Sequence, residues 1–206
     1  MPGQRVQALH AVGHPAGRWR DALHGTERDL PAEAEPDPRD ARAVGLQLGR
    51  TPRAMTGVAH RCPCELPDVV ETKPRLDDGS PFPTLYYLTC PRLASAIGTL
   101  EADGLMKEQT ARLAQDPELR ERYEVAARDY VARRDRLEVL QGVPAQGGMP
   151  VRVKCLHVLV AHSLAVGPGV NPFGDEALEQ LPEWWAKGPC VDPDDPEALP
   201  GKRTRS

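Results

Sequence analysis

The chain is 206 residues long, which is enough for one ordinary domain plus tails. Apolar residues make up 40% of it and aromatic residues only 4%, so we expect a core built mainly from Leu, Val and Ala. The formal net charge of -4 argues against a nucleic-acid-binding protein, because holding a phosphate backbone requires clustered and uncompensated Lys and Arg.

The apolar patterning also argues against membrane insertion. The longest apolar run, 158–166, is interrupted by His162 and Ser163 and falls well short of the ~20 residues that span a bilayer. The N-terminal residues contain no apolar stretch of the kind found in secretory signals. We therefore expect a cytoplasmic protein. Its five cysteines are then expected to be reduced, which favours metal binding or catalysis over a disulfide framework.

Composition divides the chain into a body and two tails. Residues 1–38 are rich in Pro, Gly, Arg, Glu and His without an apolar period, which predicts a disordered tail. Residues from Pro189 onward have the same character, and we predict a second disordered tail at 183–206 that contains Cys190. Residues 39–182 then form a single domain.

The first half of the body is predicted to contain a short helix and a small sheet. Asp40 is a candidate N-cap for a helix that ends near Gly49, and an extended stretch leads from Val58 to a turn containing Cys62-Pro-Cys. Residues 67–72 and 84–89 are rich in β-branched and aromatic side chains, which predicts two strands. An antiparallel arrangement is the simplest for such closely spaced strands.

The second half is predicted to be helical. Cys90 before Pro91 is a candidate N-cap for a helix that stops near Gly104, and Asp116 before Pro117 gives the same signal for a long amphipathic helix. A largely buried helix over 153–166 and a short helix capped by Asp175 follow. The predicted fold class is therefore α+β and predominantly helical, with a small antiparallel sheet packed against several helices.

Four cysteines can supply a metal site. A tetrahedral zinc ion or a [4Fe-4S] cluster needs four soft donors, and Cys62, Cys64, Cys90 and Cys155 match that number. Cys90 and Cys155 each lie at a predicted helix start, where exposed amides stabilise a thiolate. The spacing is not that of a paired CxxC motif, so buried structural thiols and thiol redox chemistry remain open, and the choice between zinc and iron does too.

Histidines and cations flank these cysteines. His162 lies about two helical turns after Cys155 and is placed on the same helix face, as a second-shell candidate, whereas His157 is placed on a different face. Arg61, Arg152 and Lys154 also lie beside the cysteine segments, and we predict that they bind an anionic ligand, although no phosphate-binding loop motif is present.

Five segments of the body, in the right order, carry a family resemblance. They are Arg61-Cys-Pro-Cys, Asp77-Asp-Gly-Ser-Pro-Phe-Pro-Thr-Leu-Tyr-Tyr-Leu-Thr-Cys-Pro, Leu100-Glu-Ala-Asp-Gly-Leu-Met, Gly147-Gly-Met-Pro-Val-Arg-Val-Lys-Cys-Leu-His and Gly167-Pro-Gly-Val-Asn-Pro-Phe-Gly-Asp. Over about residues 40–180 the chain resembles the DUF501 family of bacterial proteins, which is typical of actinobacteria. The motifs of the family include the four cysteines, His157 and His162, and they do not include Cys190. Glu65 departs from it, since Gly is expected there.

Three hypotheses for function follow. The first is a cytoplasmic metal-binding protein in which the four cysteines tie the sheet to two helices beside a basic surface. The second is a cysteine-dependent or cluster-dependent enzyme that acts on a small anionic substrate. The third is an interaction protein linked to cell division, because proteins that resemble this one are often encoded near a septum-formation initiator and an exopolyphosphatase-like protein.

Overall fold

The structure is a computed structural model that describes residues 36–200. Within these residues the chain forms six helices and one three-stranded antiparallel sheet, so the predicted α+β class is confirmed. In chain order the elements are α1 (Pro38–Leu48), β1 (Met55–Arg61), β2 (Pro67–Thr72), β3 (Tyr86–Leu88), α2 (Pro91–Ala102), α3 (Leu105–Gln115), α4 (Pro117–Leu137), α5 (Leu156–Val166) and α6 (Pro172–Gln180).

The sheet is centred on β2, whose side chains are nearly all buried. β1 pairs with it on one side, with Val58 opposite Val70, and β3 pairs on the other, with Leu88 opposite Val69. The predicted bounds of β2 are confirmed. β1 begins three residues earlier than Val58, and β3 occupies only the middle of the predicted strand.

Two of the predicted helix caps are wrong. Asp37, not Asp40, is the N-cap of α1, because its carboxylate accepts the backbone amides of Arg39 and Asp40. At α6 the N-cap is Asn171, whose side-chain oxygen accepts the Gly174 amide. Asp40 and Asp175 instead lie in the first turns of these helices, where acidic residues complement the helix dipole.

Two other helix starts agree with the sequence, whereas α5 begins at Leu156, three residues after the predicted start at Val153. Cys90 and Asp116 are the N-caps of α2 and α4, each followed by the predicted proline. Gly104, with φ of 92°, follows α2 and lets the chain turn directly into α3. The sequence analysis did not predict α3.

Helix α5 lies at the centre of the core. It packs against α6, β3 and α2, and Leu156, Leu159 and Val160 on it are completely buried. α6 approaches it so closely that a Cβ at Gly174 would overlap the carbonyl oxygen of Leu159. A helix that is apolar all round is expected in such a position. Among the described residues, no helix combines the length and apolarity needed to cross a membrane.

Residues 181–200, after α6, pack onto the body, contrary to the part of the predicted tail at 183–206 that the structure describes. Trp184 is buried, and the Arg42 guanidinium donates hydrogen bonds to the carbonyls of Pro193, Asp195 and Ala198. Three charge-assisted bonds from one side chain can order a segment that lacks an apolar period of its own. The first 35 residues, which make up nearly all of the other predicted tail, lie outside the described residues.

Candidate functional site

Three potential metal ligands meet where α5 begins. Glu101 comes from the last turn of α2, Cys155 is the N-cap of α5, and His157 lies in the first turn of α5. One ligand atom from each side chain lies within 4.8 Å of the others. We call these three residues the Glu-Cys-His cluster. All three are partly exposed, so a small ligand can reach them.

Glu101 organises the cluster through the backbone of α5. Its Oε1 accepts the Leu156 amide at 2.7 Å and lies 3.2 Å from Nδ1 of His157. The first amides of a helix have no partner inside the helix, and a carboxylate there is stabilised by the helix dipole. The last turn of α2 therefore supplies both a hydrogen-bond acceptor for the first turn of α5 and one wall of the site.

The orientation of the His157 ring follows from its second nitrogen. Nε2 lies 3.2 Å from the carbonyl oxygen of Ala94, and a carbonyl can only accept, so Nε2 carries a hydrogen. Nδ1 is the ring nitrogen that faces Glu101. Backbone carbonyls commonly hold metal-binding histidines in this way, with one nitrogen tied down and the other presented to the metal.

In the metal-free protein, Cys155 and His157 shift each other's pKa. Hydrogen bonds to Cys155 and Glu101 raise the pKa of His157 to about 9, although burial acts in the opposite direction. Burial would raise the pKa of Cys155, but hydrogen bonds from His157 and from the Val158 amide outweigh it and lower the pKa. In the metal-free site His157 is therefore an imidazolium at neutral pH, and its contact with Cys155 makes that thiol easier to ionise.

Of the other three predicted cysteine ligands, two lie together and the third lies beside Cys190. Cys62 and Cys64 interact with each other at the turn after β1, and the Cys90 sulfur lies 4.0 Å from that of Cys190. Across residues 36–200, the Glu-Cys-His cluster is the one group of three or more His, Cys, Asp or Glu residues whose ligand atoms lie within 4.8 Å of one another. A shared site of Cys62, Cys64, Cys90 and Cys155 stays a prediction.

The turn that carries Cys62 and Cys64 has a strained residue. Glu65 has φ of 68°, in the left-handed region that favours glycine, and its amide donates to the Cys62 carbonyl at 2.8 Å. This conformation accounts for the glycine expected at that position. Burial raises the pKa of the Cys62 thiol, so Cys62 is held protonated.

The placement of the two histidines by helical phase is wrong. Cys155 is the N-cap, with an extended φ of -154°, so the 3.6-residue period does not extend back to it. His157 is the residue that joins Cys155. His162 is completely buried and lies 2.9 Å from the Asp129 carboxylate, on the side of α5 that faces α4.

Hydrogen bonds also fix the tautomer of His162. The Asn171 side-chain oxygen accepts the Gly174 amide, so its NH2 group faces Nδ1 of His162 at 3.3 Å. Nδ1 is therefore an acceptor, and Nε2–H donates to Asp129. The rings of Tyr86 and Tyr130 lie against the imidazole. Every polar atom of His162 is satisfied inside the core, which indicates a structural residue.

The three predicted anion-binding residues have different surroundings. Arg61 is held in an ion pair by Asp40, because its two terminal guanidinium nitrogens donate to the carboxylate oxygens at 2.8 and 2.5 Å. Arg152 and Lys154 are exposed on the segment that leads into α5. Binding of an anion by these residues stays a prediction.

Sequence reasoning missed Glu101, which lies 54 residues before Cys155 in the chain. Cys155 and His157 are separated by one residue and form a local signal that can be seen in the sequence. The contribution of Glu101 depends on how α2 packs against α5, and no spacing rule predicts that packing.

Comparison with known proteins gives a family and no function. No curated protein and no solved structure matches this chain. The model of a family described as "Protein of unknown function (DUF501)" matches residues 58–179, which include β2, β3, the helices α2 to α5, α6 except its last residue, and the whole Glu-Cys-His cluster. The chain belongs to the DUF501 family.

Proposed function

We propose that this protein binds a single zinc ion through the Sγ atom of Cys155, Nδ1 of His157 and a carboxylate oxygen of Glu101. The observation that carries the proposal is the convergence of these three donors within 4.8 Å while Ala94 holds the other ring nitrogen of His157. These donor types are the ones that zinc takes in proteins.

Charge balance supports a dication at this position. Cys155 and Glu101 supply two donors that are anionic when they bind a metal, and the two lie together in a partly buried site. The proton on the imidazole compensates only one of these negative charges. A divalent ion compensates both and replaces that proton, and for this reason we expect metal binding to release protons.

The donor set favours zinc over an iron-sulfur cluster. Iron-sulfur clusters are held mainly by several thiolates, whereas a mixture of one sulfur, one nitrogen and one oxygen suits zinc. Three protein ligands leave a fourth position for water or for an oxygen of an anionic ligand. Because Arg152 and Lys154 are exposed just before Cys155, they are the residues we expect to attract such an anion.

The test is a zinc titration of untagged, metal-free protein against a chromophoric chelator. We expect about one tightly bound zinc per chain in the wild type, and none retained by Cys155→Ser. Cys64→Ser is the matched control, since it removes another partly exposed thiol outside the cluster. Unchanged zinc binding in Cys155→Ser would refute the proposed ligand set, and loss of zinc in Cys64→Ser would favour the four-cysteine site instead.

A second candidate function is that of a cysteine nucleophile acting in the metal-free state. The Cys155 sulfur accepts the Val158 amide at the start of α5 and is hydrogen bonded to His157, as in enzymes that pair a thiolate with an imidazolium. The rate of iodoacetamide alkylation tests this candidate. Cys155 should react at least ~10-fold faster than Cys64 in chelator-treated protein, because thiolate rather than thiol is the reactive form. Equal rates would contradict it.

A further inference from the structure

A second thiol pair lies away from the Glu-Cys-His cluster. Cys90, the N-cap of α2, is buried, and its sulfur lies 4.0 Å from the sulfur of Cys190. Cys190 is partly exposed and belongs to the segment that packs back onto the body after α6. The two residues are 100 positions apart in the chain, so only the fold brings them together.

The surroundings of Cys190 favour its thiolate. The Gln47 amide donates to the Cys190 sulfur at 3.4 Å, and the same NH2 group donates to the Pro67 carbonyl at 2.7 Å, which fixes its orientation. Arg92 donates to the carbonyls of the two residues that precede Cys190, at 2.6 and 3.2 Å. A nearby positive charge and an N–H donor to the sulfur are features of a reactive cysteine.

The geometry points to a reversible intramolecular disulfide between Cys90 and Cys190, formed when the protein meets a hydroperoxide. Cys190 is the attacking thiol because solvent reaches it, and Cys90 is the resolving thiol because it is buried beside it. The sulfurs must approach by about 2 Å from their separation of 4.0 Å to reach bonding distance. The proposal is independent of the zinc site.

The chemistry balances in two steps. The Cys190 thiolate attacks one oxygen of hydrogen peroxide, breaks the O–O bond and releases hydroxide, which leaves a sulfenic acid on Cys190. The Cys90 thiol then attacks that sulfur and displaces the hydroxyl group as water. Two thiols are oxidised, one peroxide is reduced to two waters once the hydroxide is protonated, and a dithiol reductant reverses the bond.

The disulfide would fasten the C-terminal segment to the body of the protein. In the reduced form the polar contacts of that segment include those of Arg42 and the exposed pair of Arg39 with Asp194. Cys190 lies outside the residues matched by the family model, so the inference concerns this chain.

The experiment is peroxide oxidation of the full-length protein, followed by thiol counting and peptide mapping. With one equivalent of hydrogen peroxide, we expect two of the five thiols to disappear, a linked peptide that contains Cys90 and Cys190, and full recovery with dithiothreitol. Cys64→Ser, the matched control, should also lose two thiols. Cys90→Ser should stop at a Cys190 sulfenic acid that dimedone traps.

Two results would overturn the inference. One is a linked peptide that joins any other pair of cysteines, in particular Cys62 with Cys64. The other is a Cys190→Ser variant that forms an intramolecular disulfide as fast as the wild type. The wild-type peptide map needs no variant, so the test holds even if Cys90→Ser fails to fold.

Discussion

Two histidines on the same helix, five residues apart, have opposite surroundings. His157, in the first turn of α5, is one-third exposed, and its hydrogen-bond partners are the Ala94 carbonyl, the Glu101 carboxylate and Cys155. His162 is completely buried, and donors and acceptors on neighbouring elements satisfy both of its nitrogens. A histidine in the first turn of a helix can face a ligand because it lies at the surface, whereas one in the helix interior is surrounded by the core.

The contrast extends to charge. Burial lowers the pKa of His162, so His162 is neutral. Hydrogen bonds to Cys155 and Glu101 raise the pKa of His157 to about 9. Burial would also raise the pKa of Asp129, but hydrogen bonds from His162 and Arg133 lower it to about 2. Asp129 is therefore ionised and accepts from a neutral imidazole. The two sites can be separated experimentally, since one should affect stability and the other metal binding.

The largest effect is expected for His162→Ala. The substitution removes the donor to Asp129 and the acceptor for Asn171, and it opens a cavity between two tyrosines. The free energy of unfolding should fall by about 3 kcal/mol in urea denaturation of the metal-free protein. Zinc affinity of the folded fraction should stay close to that of the wild type. A loss below ~1 kcal/mol would contradict a structural role, because most damaging core changes exceed it.

The matched variant His157→Ala should show the reverse. It removes a proposed ligand, so zinc affinity should fall by roughly 100-fold or more, a larger loss than the 10–100-fold typical of residues that only support a ligand. Unfolding of the metal-free protein should change by less than about 1 kcal/mol, because the side chain is partly exposed. Chelator competition and urea denaturation on the same samples measure both quantities. Unaltered zinc binding would exclude His157 as a ligand.

Glu101→Gln is expected to have a smaller effect. Glutamine keeps an oxygen that can accept the Leu156 amide, but it removes the negative charge that faces the metal. Zinc affinity should fall by about 10-fold to 100-fold. Glu108→Gln, on the neighbouring helix α3 and exposed, is the control and should leave the affinity unchanged. If the two variants bind zinc equally well, the carboxylate of Glu101 is not part of the site.

The smallest effect is expected for the pH dependence of stability. The contributions of the two histidines to stability change in opposite directions with pH. His162 has a lowered pKa when folded, so its contribution is present above about 6.5 and is lost as the pH falls below that value. His157 has a raised pKa, so its contribution is present below about 6.5 and is lost as the pH rises through about 9.

Urea denaturation of metal-free protein between pH 5 and pH 9 separates these contributions. Compared with the wild type, His162→Gln should flatten the acid side of the profile, and His157→Gln should flatten the alkaline side. If His162→Gln flattened the alkaline side, or His157→Gln the acid side, the charge states assigned to the two histidines would be reversed.

Local signals predicted most of the fold but only part of the candidate site. Proline after Cys90 and after Asp116 marks helix starts because its fixed φ suits the first turn, and both positions are confirmed. Glu101 reaches the site only because α2 packs against α5, which is a long-range contact. Cys190 was assigned to a tail because its segment has no apolar period, yet guanidinium groups hold that segment by its backbone carbonyls.

The central claim is that one cysteine, and not four, holds the metal, and zinc K-edge X-ray absorption on the zinc-loaded full-length protein tests it most directly. The account predicts a first shell with one sulfur at about 2.3 Å and two or three nitrogen or oxygen atoms at about 2.0–2.2 Å. A shell of four sulfurs at about 2.3 Å would contradict it and would place the metal with Cys62, Cys64, Cys90 and Cys155.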